Sequence, residues 1–193
     1  MKNESCPFSQ FKGRKTLKKQ ILSEQEIEQI ISRIAGEVIK RNPNPSNLIM
    51  VGVKSRGDVL AKRIAERIEL QVGQKIETSA IDITFYRDDV QLKAYKYVVK
   101  DEIQFDVTDK NVVLVDDVMF TGRSIRAAID ALIDSGRPKS IQLAVLVDRN
   151  GRELPIQPDY VGQKIKASPE SQVQVRVKEI DGEDKVIVIE NEE

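Results

Sequence analysis

Apolar residues in the early part of the chain recur at helical spacing. Ser23 followed three residues later by Glu26 is the pattern of a capping box, in which each side chain bonds the backbone N–H of the other residue. Isoleucine or valine then follows every three or four residues as far as Val38, ahead of the Asn-Pro repeat that starts at Asn42. This pattern predicts one amphipathic helix between Ser23 and Asn42.

Strand and helix patterns alternate in the middle of the chain. The continuous apolar run 48–53 predicts a strand buried on both faces, and Asp58 is predicted to cap the helix that follows. Further strands are predicted over 80–85, 112–115 and 141–147, with a helical pattern between the last two. Such alternation predicts an α/β fold with a mostly parallel twisted sheet and helices on both faces. Ligands of these folds bind at the carboxyl ends of the strands.

Short apolar segments outside this alternation predict a small hood or arm of extra strands. The stretch 93–107 holds two alternating patterns and is predicted to be a hairpin or a mobile arm. The later segments 160–161, 173–177 and 186–189 are predicted to be edge or cap strands.

Composition narrows the classes of function. With 193 residues the chain has the size of one globular domain, and we predict a flexible basic N-terminus over 1–20 and a single domain over 21–193. The 31 basic and 31 acidic residues balance, so no global cationic field attracts nucleic acid or a membrane. A lone Cys6, without a visible secretory leader or long apolar run, favours a cytoplasmic protein with no membrane partner. The absence of histidine excludes Ser-His and Cys-His nucleophiles.

One segment combines two carboxylates with a turn suited to phosphate. Asp116 and Asp117 come at the end of a predicted buried strand, and Thr121, Gly122 and Ser124 follow at the start of the next helix. Free amides at a helix N-terminus, beside hydroxyls and a glycine, favour a phosphate group. Paired carboxylates accept hydrogen bonds from vicinal hydroxyls. A sugar phosphate carries both groups.

Other interpretations of this segment use the same carboxylates. Taken alone, two adjacent aspartates after a strand fit a metal pair or a solvated turn as well as they fit a sugar-phosphate site. Receiver-type phosphoacceptor sites also place acidic residues at strand ends. The turn at 121–124 favours the sugar phosphate, because an acidic metal site gains nothing from it. Walker-type and dinucleotide sites are disfavoured, since the chain has no glycine-rich loop ending in Gly-Lys-Ser or Gly-Lys-Thr and no Gly-x-Gly-x-x-Gly after a strand.

The segment 112–124, VVLVDDVMFTGRS, resembles the phosphoribosyl pyrophosphate (PRPP) loop of type I phosphoribosyltransferases. Within that group the chain is similar, from about residue 22 to residue 191, to the PyrR family of bacterial pyrimidine-operon regulators that also act as uracil phosphoribosyltransferases. Three further blocks, at 52–57, 82–89 and 136–149, carry the same resemblance in the same order.

The resemblance implies transfer of the 5-phosphoribosyl group from PRPP to uracil, which gives UMP and diphosphate. Asp116, Asp117 and Arg87 are the implied catalytic residues, with the two carboxylates on the ribose hydroxyls and Arg87 closing over the diphosphate from a mobile segment. The implied substrate-binding residues are Ser55, Arg56, Asp116, Asp117, Val118, Met119, Phe120, Thr121, Gly122, Arg123, Ser124, Val147 and Arg149.

Each loop has its own implied task. Ser55 and Arg56 lie in the pyrophosphate loop, which in such folds often contains a non-proline cis peptide, and Arg149 lies beside the base. The implied cofactor is Mg²⁺, held mainly by substrate oxygens and water, with Asp116, Asp117 and Asp88 as candidate protein ligands. No strong protein base is required, because the transfer passes through an oxocarbenium-like centre stabilised by charges and dipoles.

PyrR-family proteins also bind messenger RNA, under the control of uridine nucleotides, through a basic concave face of a dimer. The resemblance therefore implies a pyrimidine-operon mRNA leader as a partner and a homodimer or dimer-based assembly. Ser32 and Arg33 match the family's polar and basic pair and are candidate RNA-binding residues. The chain departs from the family at Gly36, where histidine is usual, and at Asn150-Gly151, which replace Gly-His. These departures remove two potential RNA contacts.

Three alternatives remain at the level of sequence. Arg33, Lys40 and Arg41 fit the solvated face of an amphipathic helix as well as an RNA site. The protein could also be an RNA-binding attenuator with a vestigial catalytic site. A sugar-phosphate loop does not identify the base, so orotate or hypoxanthine are alternative substrates to uracil.

Overall fold

The computed structural model describes residues 16–84, 86 and 105–191. Its main sheet has five strands in the order β3-β2-β4-β5-β6, and every neighbouring pair is parallel. The strands are β2 (Leu48–Val53), β3 (Glu77–Ile81), β4 (Asn111–Met119), β5 (Ser140–Arg149) and β6 (Tyr160–Ile165). The predicted parallel sheet is confirmed.

Three helices cover the two faces of this sheet: α1 (Glu24–Arg41), α2 (Gly57–Val72) and α3 (Arg123–Asp134). Strand β2 shows why both faces are apolar. Met50 packs in the core cluster that contains α1 and α2, whereas its neighbours Ile49 and Val51 pack in the cluster that contains α3. Because successive side chains of a strand point to opposite faces, a continuous apolar run supplies both cores. Helices on both faces were predicted and are confirmed.

The capping box at the start of α1 is also confirmed. The Ser23 Oγ accepts the backbone N–H of Glu26 at 3.4 Å, and the Glu26 carboxylate accepts the backbone N–H of Ser23 at 2.8 Å. These two bonds satisfy amides that the first turn of a helix leaves without partners. Among the described helices, none is both long enough and apolar enough to cross a membrane.

A second, antiparallel sheet forms the predicted hood. It has the order β1-β8-β7, with β1 (Thr16–Leu22), β7 (Gln172–Arg176) and β8 (Lys185–Asn191), and the short helix α4 (Lys178–Asp181) connects the last two. Residues 16–20 were predicted to belong to a flexible terminus, but they pair with β8 as part of β1. Residues 17–20 are exposed, and only the end of β1 reaches the core, through Leu22 and the adjacent Ile21. The sequence of β1 therefore lacks the alternating pattern that marks a half-buried strand. Residues 1–15 and most of the stretch 93–107 lie outside the described residues.

Two predictions of element boundaries are wrong. Asp58 does not cap α2: the helix begins at Gly57 with Arg56 at the N-cap, and the Asp58 carboxylate accepts the N–H of Val59 within the first turn. The strand predicted over 80–85 ends instead at Ile81. Asp82 ends it, because its carboxylate accepts both the backbone N–H and the hydroxyl of Thr84 and so stabilises a turn.

Candidate active site

The carboxyl ends of β2, β4 and β5 lie side by side, and the described site residues lie in these strand ends and in the loops that follow them. The loop at 54–56 follows β2, the turn at 120–122 follows β4, and Arg149 is the last residue of β5. The parallel sheet therefore brings the implied pyrophosphate, sugar-phosphate and base residues to one edge.

The two aspartates lie inside β4 rather than after it, because the strand continues to Met119. Asp116 is 7% exposed, and its carboxylate accepts the backbone N–H of Asp117 at 2.9 Å. The Asp117 carboxylate accepts the N–H of Val118 at 2.8 Å. Burial raises the pKa of Asp117, and the positive charge of Arg56 acts in the opposite direction. An ionised carboxylate has room for about four hydrogen bonds, so Asp117 can still accept a ribose hydroxyl.

The turn after β4 has the geometry of an anion site. Gly122 is the N-cap of α3 and has a left-handed backbone with φ of 94°, a conformation that glycine adopts without a side-chain clash. The Thr121 hydroxyl accepts the backbone N–H of Arg123 at 3.3 Å, and Ser124 lies in the first turn of the helix. The turn thus places two hydroxyl-bearing residues next to a helix N-terminus, a combination that suits a phosphate.

The loop after β2 contains the expected non-proline cis peptide, between Lys54 and Ser55. Arg56 is not a free surface arginine. Its Nε and Nη2 donate to the two carboxylate oxygens of Asp181 at 3.1 and 2.9 Å. The positive charge of Arg56 also acts on Asp117, where it lowers the pKa of the carboxyl.

Arg149 occupies a buried position beside Val147, which is itself fully buried. Its guanidinium lies 4.0 Å from the centre of the Phe120 ring and donates to the carbonyl oxygens of Ser168 and Ser171, each at 2.9 Å. Within the described structure its Nε has no hydrogen-bond partner. Desolvation lowers the pKa of Arg149. The side chain therefore joins the turn after β4 to the loop before β7.

Sequence reasoning missed the residues that support the turn. Arg152 donates to the carbonyl oxygen of Phe120 at 2.6 Å and forms an ion pair with Asp148. The backbone N–H groups of Glu153 and Leu154 donate to the carbonyl oxygen of Thr121 at 3.0 and 3.2 Å. The signal for this role was weak, since an arginine just after a strand is usually a surface residue.

The comparisons with known proteins agree with this geometry. Residues 18–180 match the family model described as a phosphoribosyl transferase domain. The chain is 52% identical over 174 residues to the Bifunctional protein PyrR of Clostridioides difficile, covering 90% of this chain and 98% of that protein. It is 51% identical over 175 residues to the Bifunctional protein PyrR of Bacillus subtilis, covering 89% and 97%. The chain belongs to the PyrR family.

Solved structures show that this PyrR-family chain shares its fold with more distant enzymes. A hypoxanthine phosphoribosyltransferase from Staphylococcus aureus superposes with a TM-score of 0.67 at 20% identity, covering 88% of this chain and 90% of that one. The hypoxanthine phosphoribosyltransferase of Trypanosoma cruzi gives a TM-score of 0.68 at 18% identity, covering 90% and 97%. At these identities the likeness concerns the fold alone.

The structure explains the departure from the PyrR family at Asn150-Gly151. The Asn150 side chain accepts the backbone N–H of Ala167 at 3.0 Å and so ties two loops together. Gly151 has φ of 118°, and a Cβ atom placed there would lie only 2.9 Å from Cδ2 of the Phe120 ring. The ring that stacks on Arg149 occupies the space that a side chain at position 151 would need.

The structure gives Arg33, the candidate RNA-binding residue of this PyrR-family chain, a second role. Its Nη1 donates to Glu37 at 2.8 Å, and its Nη2 donates to the carbonyl oxygens of Val161 and Gly162 at 2.9 and 2.8 Å. Arg33 therefore links α1 to the edge strand β6, while its side chain stays 45% exposed. Ser32 is half-buried on the same helix.

Two implied residues, Arg87 and Asp88, lie outside the described residues. Among the residues that are described, no three acidic, cysteine or histidine side chains form a group that could hold a metal ion. The carboxylate oxygens of Asp116 and Asp117 are nevertheless the hard ligands that Mg²⁺ takes, and they adjoin the turn suited to phosphate. These two residues fit a Mg²⁺ ion that is shared with a phosphorylated substrate.

Proposed function

We propose that this chain transfers the 5-phosphoribosyl group of PRPP to uracil, forming UMP and diphosphate. The observation that carries the proposal is the placement of Asp116 and Asp117 next to the phosphate-type turn that follows β4. This strand lies between β2, whose loop holds Arg56, and β5, which ends at Arg149. In this proposal the two aspartates bind the ribose, the turn after β4 binds the 5-phosphate, the β2 loop binds the diphosphate, and Arg149 lies beside the base. Membership of the PyrR family supports uracil as the base.

The chain's own residues would mainly stabilise charge. As the bond between C1′ and the diphosphate oxygen breaks, positive charge develops at C1′ and negative charge on the leaving group. Asp116 and Asp117 hold the ribose hydroxyls and lie near the positive centre, and Arg56 with the amides of its loop receives the diphosphate. The lone pair of uracil N1 forms the new bond to C1′, and its proton passes to a carboxylate, the diphosphate or water.

Mg²⁺ is the cofactor that fits this site. Asp116 and Asp117 would hold it directly or through water, with substrate oxygens supplying the remaining ligands. When bound, it would neutralise charge on the diphosphate. The two carboxylates, which lie inside β4, would thus bind both the ribose hydroxyls and the ion.

Replacing Asp117 by asparagine is expected to lower the kcat/KM of UMP formation by about 10- to 100-fold. A hydrogen bond to a charged group contributes about 1.5–3 kcal/mol, and each 1.4 kcal/mol is a factor of ten in rate. Thr121→Ala should instead act mainly on the KM for PRPP, because the Thr121 hydroxyl lies at the phosphate turn. The measurement is steady-state formation of UMP from uracil and PRPP, with orotate and hypoxanthine as competing bases.

A suitable control is Asp130→Asn, which removes an exposed ion pair with Arg126 on α3. Exposed pairs of this kind contribute about 0–1 kcal/mol, so turnover should not change. Unaltered turnover in Asp117→Asn would refute the site assignment. If orotate or hypoxanthine is the preferred base, the proposed substrate is wrong but the proposed reaction, transfer of a phosphoribosyl group, still holds.

We also propose that the chain binds the mRNA leader of a pyrimidine operon, under control by uridine nucleotides, as a cytoplasmic homodimer or dimer-based assembly. The support is the family, whose members are named bifunctional, together with the partly exposed guanidinium of Arg33 on α1. Since the net charge is zero, any RNA contact has to come from a local patch of this kind.

Arg33→Ala is expected to weaken binding of leader RNA and to reduce the salt dependence of that binding by about one ion. The matched control is Glu37→Gln, which removes the ion pair but leaves the charge of Arg33 and its bonds to β6. Filter binding over a range of salt concentrations, with thermal unfolding measured in parallel, separates the two roles. No binding of the wild type at low salt, or equal weakening by both variants, would leave Arg33 with its structural role alone.

A further inference from the structure

The hood meets the pyrophosphate loop and α2 through two arginines. Arg63, in the second turn of α2, donates to the carboxylates of Glu179 and Asp184 at distances from 2.5 to 2.9 Å. Arg56, at the N-cap of the same helix, donates to Asp181. The contacts of Arg63 only join α2 to the hood. The pair between Arg56 and Asp181 differs, because Arg56 belongs to the implied diphosphate site.

The carboxylate of Asp181 is held in place from its own side. Its Oδ2 accepts the backbone N–H of Val177 at 3.0 Å, in addition to its bond with Arg56. The side chains of Arg56 and Asp181 are only 27% and 18% exposed, so the pair is partly desolvated. A bidentate pair between arginine and a carboxylate is directional as well as strong. Asp181 therefore determines both the position and the plane of the Arg56 guanidinium.

The Arg56 guanidinium interacts with two carboxylates, which have different tasks in the proposal. Asp181 of the hood accepts its hydrogen bonds, and Asp117 in β4 interacts with it through charge. The pair with Asp181 uses two of the five N–H donors that a guanidinium has. The pair therefore leaves three N–H groups that a diphosphate bound at the β2 loop could engage.

We propose that Asp181 is a positioning residue that holds the Arg56 guanidinium ready to receive the diphosphate of PRPP. The inference rests on the proposed function and adds a residue of the hood to it. A free arginine side chain carries about 2 kcal/mol of rotamer entropy, which binding would have to overcome. An arginine that is already fixed loses less of this entropy when the ligand binds, so its contacts contribute more to affinity.

The test is direct binding of PRPP with Mg²⁺, measured by calorimetry in the absence of uracil. Asp181→Asn removes the charge and one of the two acceptors, and we expect PRPP to bind on the order of tenfold more weakly. The KM for uracil should not change, since Arg149 and not Arg56 lies at the base. Asp181→Glu, which keeps a carboxylate, should recover part of the affinity. In an Arg56→Ala background, adding Asp181→Asn should have no further effect on PRPP binding.

Glu179→Gln is the matched control, because it removes a neighbouring ion pair of the hood and leaves Arg56 untouched. It should bind PRPP as the wild type does, even if it unfolds at the same temperature as Asp181→Asn. The inference is overturned if Asp181→Asn binds PRPP as tightly as the wild type or more tightly, or if its effect persists without Arg56. A wild-type protein that binds PRPP but forms no UMP would overturn the proposed function, while these binding comparisons would still decide the role of Asp181.

Discussion

Replacing Gly52 by alanine is expected to lower the free energy of unfolding by about 3 kcal/mol or more. A Cβ atom on Gly52 would lie less than 3.0 Å from the Cα and N of Asp58 and from the carbonyl oxygen of Gly57. All three are backbone atoms, so a change of side-chain rotamer cannot relieve the contact. The first turn of α2 has to move away from β2, and the loop with Ser55 and Arg56 moves with it. The midpoint of urea unfolding and the affinity for PRPP should therefore fall together.

The matched substitution is Gly36→Ala in the interior of α1. A Cβ atom there meets nothing within 4 Å, and alanine is a better helix former than glycine. We expect this variant to gain about 0.5–1 kcal/mol in stability. Wild-type stability for Gly52→Ala would show that the helix does not approach the strand as closely as the structure indicates.

Placing histidine at position 151 is expected to destabilise the protein by about 3 kcal/mol and to impair the PRPP loop. A non-glycine residue in such a backbone conformation costs about 1–3 kcal/mol. Its Cβ also collides with the Phe120 ring, whose stacking on Arg149 is worth about 1–2 kcal/mol. Phe120 belongs to the turn that follows β4, so its displacement should raise the KM for PRPP. Chemical denaturation and steady-state kinetics of Gly151→His measure the two effects.

A double-mutant comparison separates the two causes. In a Phe120→Ala background the ring is absent, so Gly151→Ala should cost only the energy of the backbone conformation. In the wild-type background the same substitution should cost more, and the difference between the two is the energy of the collision. Equal costs in both backgrounds would show that the ring does not occupy the space beside Gly151.

The local patterns predicted much of the fold, and the family resemblance supplied most of the candidate site residues. The capping box at Ser23 and the apolar run of β2 were visible because both depend on neighbours within a few residues. The turn at 121–124 was visible for the same reason, since the hydroxyls and the glycine on which the proposed phosphate site rests lie in consecutive residues. Boundaries were predicted less well. The strand predicted over 80–85 ends early because the Asp82 side chain stabilises a turn. Asp58 was taken for the cap of α2, but it lies within the first turn of that helix.

By itself the sequence determined the parallel α/β fold, the paired carboxylates and the phosphate-type turn, because each depends on the spacing of residues that are close together in the chain. Only the tertiary structure decided which distant groups meet. Arg56 finds Asp181 across 125 positions of the chain, and Arg33 finds the carbonyl oxygens of β6 across 128 and 129. No local pattern encodes such a pair, since the sequence around an arginine is the same whether the side chain faces water, a carboxylate of α4 or the carbonyl oxygens of β6. For Arg56, the packing of the hood against α2 decides that the partner is Asp181, and it thereby sets the orientation of the guanidinium.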